Sequence, residues 1–335
     1  MAARTQGLYG RPVRDHPVDP VDISAWAPGA RGALRRGTLA ASVLDDIPLQ
    51  PYPDGVLVGR SWDDRDAWTP VTWAALSDAV AGVDPESPEG RLRVRDWLHA
   101  YLFVRDAAAR AGGDLAPPGV VALALPRGHA LHPGPSWVME SVHGGVLDVG
   151  LGLRPEELDV PVSGVGRAVT AAGVVPLAVP LPASAARWAD VDSARWWPAA
   201  REHRDAMAVL AGERLQHDGR GVLRPLGGCD VLTLLSGRWL RDDLARADGT
   251  GMRAVAAPMR SRAWFDLARI DPAFVGAAAA ATEPQLRGVE RPLLVTTDEV
   301  SVVIGRASVV DVARSALAEP AARLPDHEHR DVLYH

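Results

Sequence analysis

Residues 128–145, GHALHPGPSWVMESVHGG, hold three of the ten histidines of this 335-residue chain and one glutamate. His129 and His132 are three residues apart, and Glu140 and His143 have the same spacing. Imidazole nitrogens and carboxylate oxygens bind zinc and similar divalent ions when three or four of them converge at about 2 Å from the metal. The segment therefore predicts a metal site, with Glu140 as fourth ligand or general base and Asp148 in support. The alternative is that these loop histidines satisfy local backbone groups, because their spacing differs from that of H-E-x-x-H.

Other catalytic motifs are incomplete. No G-x-S-x-G sequence occurs, which argues against a serine hydrolase. The Gly164-Val165-Gly166 sequence lacks the third glycine of the dinucleotide-binding fingerprint. Cys229 is the only cysteine, so an internal disulfide is excluded, and the apolar run that follows it predicts a buried structural thiol.

Composition excludes several enzyme classes. No lysine occurs, so all 36 basic side chains are arginines, and no asparagine occurs either. Without lysine there is no Schiff-base amine, Walker A lysine or kinase lysine, which excludes pyridoxal enzymes, P-loop NTPases and ordinary protein kinases. Both absences are typical of a GC-rich bacterial genome. The net charge of −6 is spread without blocks and argues against nucleic-acid binding. The absence of a long apolar run or an N-terminal apolar region predicts a cytoplasmic protein without membrane contact.

Tryptophan is unusually frequent, with eleven residues against three phenylalanines. Several follow an arginine, as in Arg187-Trp188 and Arg195-Trp196-Trp197. Arginine planes stack on indoles, and both residues are enriched at the centres of protein interfaces. Two adjacent tryptophans are not expected to face one core from a regular element. These five residues therefore predict an interface, although core packing is the alternative for any single indole.

The segments that must position these side chains show clear helix and strand signals. Ser87 followed by Pro88 predicts the start of a helix that ends at Gly112-Gly113. A second helix should open at Pro198, with Met207, Leu210, Ala211 and Leu215 facing inward. A third should span Asp230 to Ala247, with Trp239 on its apolar face, and the alternative is that Ser236-Gly237 breaks it into a strand followed by a helix. Further helices are predicted from Asp271-Pro272 and over 308–318. Strands are predicted over 120–125, 146–153, 174–179 and 252–258 and in a hairpin over 293–304. The glycines of 146–153 indicate close approach by another backbone.

These elements predict an α/β or α+β protein, with a mixed sheet, packed helices and an irregular N-terminal arm. Residues 1–53 should form the Pro/Gly-rich arm, residues 54–320 one large or two closely packed domains, and residues 321–335 a polar, histidine-containing tail.

Two functions are consistent with the sequence. The first is a non-enzymatic subunit without a cofactor, which docks a protein partner or a second copy of itself through the Arg/Trp surface and the arm. It rests on the absence of a complete catalytic motif and on the length of the arm. The second is a metal-dependent, hydrolase-like enzyme that uses His129, His132, Glu140 and His143 with a divalent ion such as zinc.

Overall fold

The computed structural model describes residues 30–111, 116–129, 131–134, 137–141, 145–154, 167–170, 173–218, 221–247, 249–265 and 286–302. Its helices are α1 (Ala30–Asp45), α2 (Trp73–Ala79), α3 (Pro88–Ala111), α4 (Ala183–Trp188), α5 (Trp197–Asp218), α6 (Val231–Ser236) and α7 (Arg238–Arg246). Its strands are β1 (Leu49–Tyr52), β2 (Gly55–Val58), β3 (Thr69–Thr72), β4 (Val120–Pro126), β5 (Val138–Ser141), β6 (Leu147–Leu153), β7 (Arg167–Thr170), β8 (Gly173–Pro176), β9 (Val179–Pro180), β10 (Val222–Leu223), β11 (Met252–Met259), β12 (Arg262–Trp264), β13 (Leu293–Thr296) and β14 (Val300–Val302). The described strands pair antiparallel throughout.

The N-terminal part combines α1, α2 and α3 with a three-stranded meander in the order β1-β2-β3. Leu34, Ile47 and Leu49 are buried in the main core. The predicted irregular arm over 1–53 is therefore wrong from residue 30 onward. Glycine in α1 marks close packing there, because a Cβ on Gly37 would lie 2.1 Å from the Pro85 carbonyl oxygen. Residues 1–29 lie outside the described ranges.

The long helix α3 confirms the prediction made from its cap. The Ser87 hydroxyl accepts a hydrogen bond from the Gly90 backbone N–H at 3.0 Å, which satisfies a donor of the first turn. On the buried face Trp97 stacks on Tyr101 with ring centroids 5.2 Å apart. The Trp97 indole N–H also donates to the Ser184 hydroxyl at 2.9 Å, which joins α3 to α4.

A central sheet in the order β4-β6-β5 confirms the strands predicted over 120–125 and 146–153, and β9 pairs with the other end of β6. Strand β4 is buried on both faces, since Ala122 and Ala124 belong to the main core and Leu123 belongs to a second apolar cluster. Gly150 of β6 lies beneath the Trp137 indole, whose nearest atom is 2.4 Å from a Cβ placed there. The close approach predicted at this glycine is thus made by a side chain.

In the C-terminal part α7 packs against β11 and β13 of a sheet in the order β10-β12-β11-β13-β14, while α5 and α6 pack mainly against β4 of the central sheet. The predicted helix after Asp230 is confirmed, and Gly237 divides it into α6 and α7. Two predicted inward positions are wrong, since Leu210 is 44% exposed and Trp239 is 57% exposed. On a regular helix Trp239 lies roughly opposite the buried residues of α7, which are Leu240, Arg241, Leu244 and Ala245.

The predicted combination of helices and sheet is confirmed, because helices and antiparallel sheets are combined around a common core. The mixed sheet is not found, since every strand pair of the described residues is antiparallel. The helices predicted from Asp271 and over 308–318 and the tail over 321–335 lie outside the described residues. Among the described helices, none has the length and apolar character needed to cross a membrane.

Candidate functional site

The predicted histidine segment begins as a tight turn after β4. The Arg127 N–H donates to the Val146 carbonyl at 3.1 Å, and the His129 N–H donates to the Pro126 carbonyl at 3.0 Å. Each of the two described histidines then accepts a hydrogen bond at Nδ1 from the backbone N–H two residues later. His129 accepts from Leu131 at 3.1 Å, and His132 accepts from Gly134 at 3.0 Å. Accepting at Nδ1 leaves the ring proton of a neutral histidine on Nε2.

The second nitrogen of His132 contacts Asp148. His132 Nε2 lies 3.2 Å from Asp148 Oδ2, and Arg127 Nε donates to the same carboxylate oxygen at 3.1 Å. Asp148 is a buried residue of β6, whereas the Arg127 side chain is 58% exposed. The His132 ring also meets the edge of Trp137, with centroids 5.2 Å apart. Asp148 therefore links the turn to the central sheet through two charge-assisted contacts.

His129 is fixed by a distant segment of the chain. Its Nε2 lies 3.1 Å from the Arg287 carbonyl oxygen and donates to it in this tautomer. Burial lowers the pKa of His129 to about 4, and the positive charge of Arg260 adds to this effect. The imidazole is therefore neutral at neutral pH. Both nitrogens of His129 and of His132 are engaged by protein groups, so metal binding at either ring would require breaking a hydrogen bond.

The other two predicted ligands are only partly described. Glu140 lies on β5 with its backbone opposite Val149 of β6, and its side chain lies outside the description, as does all of His143. Within the described ranges, no group of three or more histidine, cysteine, aspartate or glutamate side chains is arranged to hold a metal ion.

A buried ion pair close to His129 was not predicted from the sequence. Arg260 and Asp230 are almost fully buried, and Arg260 Nε donates to Asp230 Oδ2 at 2.5 Å. Asp230 Oδ1 accepts the Thr233 N–H at 2.8 Å and so caps α6, while Arg260 Nη2 donates to the Ala178 carbonyl at 2.7 Å. The sequence placed the start of a helix at Asp230, but nothing in it indicated Arg260 as the partner.

The predicted Arg/Trp interface is divided by the fold. Trp196 is 1% exposed and Trp197 is 8% exposed, and both belong to the main core. The expectation that adjacent indoles cannot share one core is wrong here, because a 3₁₀ turn ends at Trp196 where α5 begins. Side chains that leave this junction about 100° apart both meet the core around it. Arg195 stays on the surface beside Asp192, with Nε 3.5 Å from Oδ2.

Arg187 and Trp188 lie on α4 and contact α2. The Arg187 guanidinium and the Trp188 indole N–H both donate to Asp78 Oδ2, at 2.8 and 2.9 Å. Trp188 remains 39% exposed. Arg187 and Trp188 of the predicted interface therefore lie on the protein surface against α2, next to Ser77.

Ser77 lines a groove of about 790 Å³ between α1 and α2. The guanidinium of Arg35 lies over the Trp73 ring, 5.2 Å from its centroid, and the Trp73 indole N–H donates to the Pro53 carbonyl at 3.1 Å. The groove is lined by Ala33, Leu34, Arg35, Pro53, Asp54, Trp73, Ala74, Ser77 and residues 80–85. It therefore contains an arginine–tryptophan pair that sequence adjacency did not reveal.

Comparisons of this chain with protein-family models, with curated proteins and with solved structures found no match.

Proposed function

We propose that this protein is a non-enzymatic subunit that assembles with a second copy of itself. Residues 1–29 of one copy would occupy the groove between α1 and α2 of the other. The observation that carries the proposal is the position of the groove: Ala33, Leu34 and Arg35 in the first turns of α1 form one of its walls. Helix α1 therefore begins beside the groove, and two copies related by a twofold axis could exchange their N-terminal segments reciprocally.

The groove and the N-terminal segment are chemically complementary. The apolar part of the wall includes Leu34, Val80 and Val83, which suits the indole of Trp26. Asp54 and Asp84 of the groove offer negative charge to Arg4, Arg11 and Arg14 of residues 1–29, and Arg35 offers positive charge to Asp15, Asp19 and Asp22 of the same segment. Four prolines in the same segment reduce the conformational entropy lost when it is held extended.

The surface continues beyond the groove. Asp78 follows Ser77 on α2 and holds both Arg187 and Trp188 at its carboxylate. Because Asp78 orients both side chains, little rotamer freedom is lost when a partner covers them. A half-exposed tryptophan beside an arginine is a common anchor of protein interfaces.

The proposal is tested by measuring mass in solution for two variants and their mixture. One variant lacks residues 2–28, and the other carries Ala74→Arg, which places a large side chain in the groove from an exposed position of α2. Ala109→Arg is the matched control, because it makes the same change at an exposed helical position outside the groove. Light scattering after gel filtration gives the mass.

We expect two-chain particles for the wild type and for Ala109→Arg, and single chains of 35.6 kDa or slightly less for each groove or segment variant. Mixing the two defective variants should restore a two-chain particle, because one intact segment then meets one intact groove. A monomeric wild type, or a dimeric Ala74→Arg variant, would contradict the proposal. Binding of the segment within its own chain would also contradict it, and the mixture would then show no gain in mass.

A further inference from the structure

A second cavity lies in the C-terminal part of the described fold, where α5 and α7 meet the sheet of β10–β14. It has a volume of about 520 Å³, which falls in the usual range of about 300–1,000 Å³ for small-molecule sites. Its lining shares no residue with the groove between α1 and α2. We call it the α5–α7 cleft.

One side of the α5–α7 cleft is apolar and rigid. Leu240, Leu244 and Phe265 are buried, and Leu215 in the last turn of α5 is half-buried beside them. Gly212 completes this wall, since α7 packs against it and Leu240 lies 3.8 Å from the position of its missing Cβ. The wall therefore offers fixed apolar surface to a ligand of moderate size.

Two half-buried charges face the same cleft. Arg253 Nε donates to the Phe265 carbonyl at 3.2 Å, which fixes the guanidinium plane and leaves its terminal nitrogens for another acceptor. Asp243 Oδ2 lies 2.6 Å from a Cβ placed on Gly212, so this carboxylate lies directly on the apolar wall. Among the described side chains, neither group has an opposite charge within 4.0 Å, so the two do not neutralise each other.

The remaining charged residue of the lining is already paired. Arg246 lies 3.7 Å from Asp242 and is 69% exposed, so it belongs to the rim. Arg253 and Asp243 thus remain as one positive and one negative group in a cleft that also has apolar lining residues. Half-buried charges are stabilised by an opposite charge that shares their partly dehydrated environment.

We infer that the α5–α7 cleft binds a small apolar zwitterion of amino-acid type. Its carboxylate would receive the Arg253 guanidinium, its ammonium group would donate to Asp243, and its side chain would contact Leu215, Leu244 and Phe265. A free apolar amino acid and an apolar dipeptide share this chemistry and differ in the distance between their charges. This inference does not rest on the proposed self-assembly.

The test uses probes that differ by one charge at a time. Binding of L-phenylalanine, 3-phenylpropionate, phenethylamine and L-leucyl-L-phenylalanine to the full chain is measured by isothermal titration calorimetry. We expect the amino acid or the dipeptide to bind with a Kd of about 1 mM or below. Phenylpropionate lacks the ammonium group and phenethylamine lacks the carboxylate, so each should bind about tenfold more weakly than L-phenylalanine.

Variants link this binding to the cleft. Arg253→Gln keeps a donor for the Phe265 carbonyl but loses the charge that binds a carboxylate, so this variant should bind phenethylamine and L-phenylalanine about equally. Asp243→Asn should likewise bind phenylpropionate and L-phenylalanine about equally. Arg214→Gln is the control, because Arg214 is an exposed residue of α5 outside the cleft. Equal affinities for all four probes, no binding of either zwitterion at about 1 mM, or unchanged affinity in both cleft variants would overturn the inference. Melting temperatures of the variants identify any that fail to fold, and the probe comparison on the wild type remains decisive in that case.

Discussion

Replacing Asp230 by alanine should destabilise this protein more than any change at an exposed aspartate. Asp230 accepts a hydrogen bond from Arg260 at 2.5 Å and caps α6 through the Thr233 N–H at 2.8 Å. The side chains of Arg260 and Asp230 are 1% and 0% exposed, so removing the carboxylate takes away the negative charge beside a buried guanidinium. Leaving one member of a buried pair costs about 3–5 kcal/mol, and losing a helix cap costs about 1 kcal/mol.

The two losses together approach the net stability of many domains, which is about 5–15 kcal/mol. We therefore expect the melting temperature of Asp230→Ala to fall by about 10 °C or more, unless the variant fails to fold. Asp230→Asn separates the two contributions, because asparagine caps helices as well as aspartate does but carries no charge. Asp230→Asn should therefore be about 1 kcal/mol more stable than Asp230→Ala.

The matched control is Asp192→Ala. Asp192 also caps a turn, through the Ala194 N–H at 3.2 Å, and it lies 3.5 Å from Arg195, but the side chains of that pair are 62% and 61% exposed. Its replacement should cost about 1 kcal/mol or less, because exposed pairs contribute little. Urea denaturation monitored by tryptophan fluorescence gives the loss of unfolding free energy for Asp230→Ala and for Asp192→Ala. Equal losses at positions 230 and 192 would refute the reasoning that burial sets the cost.

Three further outcomes follow from the burial of single side chains. Burial lowers the pKa of His99 to about 4, with repulsion from Arg95 adding to the effect, so between pH 4 and about 6.5 the folded protein binds fewer protons than the unfolded chain. Stability should therefore fall as pH drops through that window, and His99→Gln should reduce the slope in denaturation curves measured at several pH values. Burial raises the pKa of Cys229 to about 12, so a thiol reagent should label it only after unfolding, and rapid labelling of the native protein would contradict its burial. Trp196→Ala should lower stability by about 3–5 kcal/mol in urea denaturation, whereas Trp188→Ala should change it by less than about 1 kcal/mol, and similar losses would contradict the core position of Trp196.

Local signals in the sequence predict an element correctly where the residues at its own ends determine where it begins. Ser87 and Pro88 marked the start of α3, and Asp230 marked the start of α6, because a cap satisfies N–H groups only two or three residues away. Short apolar runs likewise predicted β4 and β11, since a buried strand needs apolar residues whichever strand it pairs with.

The same local patterns were misleading where a neighbour decides the environment. Glycine in this region predicts an irregular arm, but Gly37 is required by the close approach of the Pro85 carbonyl. Adjacent Trp196 and Trp197 predict a surface, but the core surrounds the junction that carries them. Whether an apolar side chain is covered depends on what packs above it, and a linear pattern does not contain that information.

The sequence alone predicted the fold class and the elements with capped ends or short apolar runs, such as α3, α6, β4 and β11, because these depend on residue types and short-range periodicity. Only the tertiary structure decided the partners of the polar side chains. His129 contacts the Arg287 carbonyl, 158 positions away in sequence. Arg260 contacts both Asp230 and the Ala178 carbonyl, and these three residues come from different segments of the chain. The α5–α7 cleft similarly brings Arg253 and Asp243 to one apolar wall. A buried polar group must find a partner, but which one it finds depends on how distant segments cross in space.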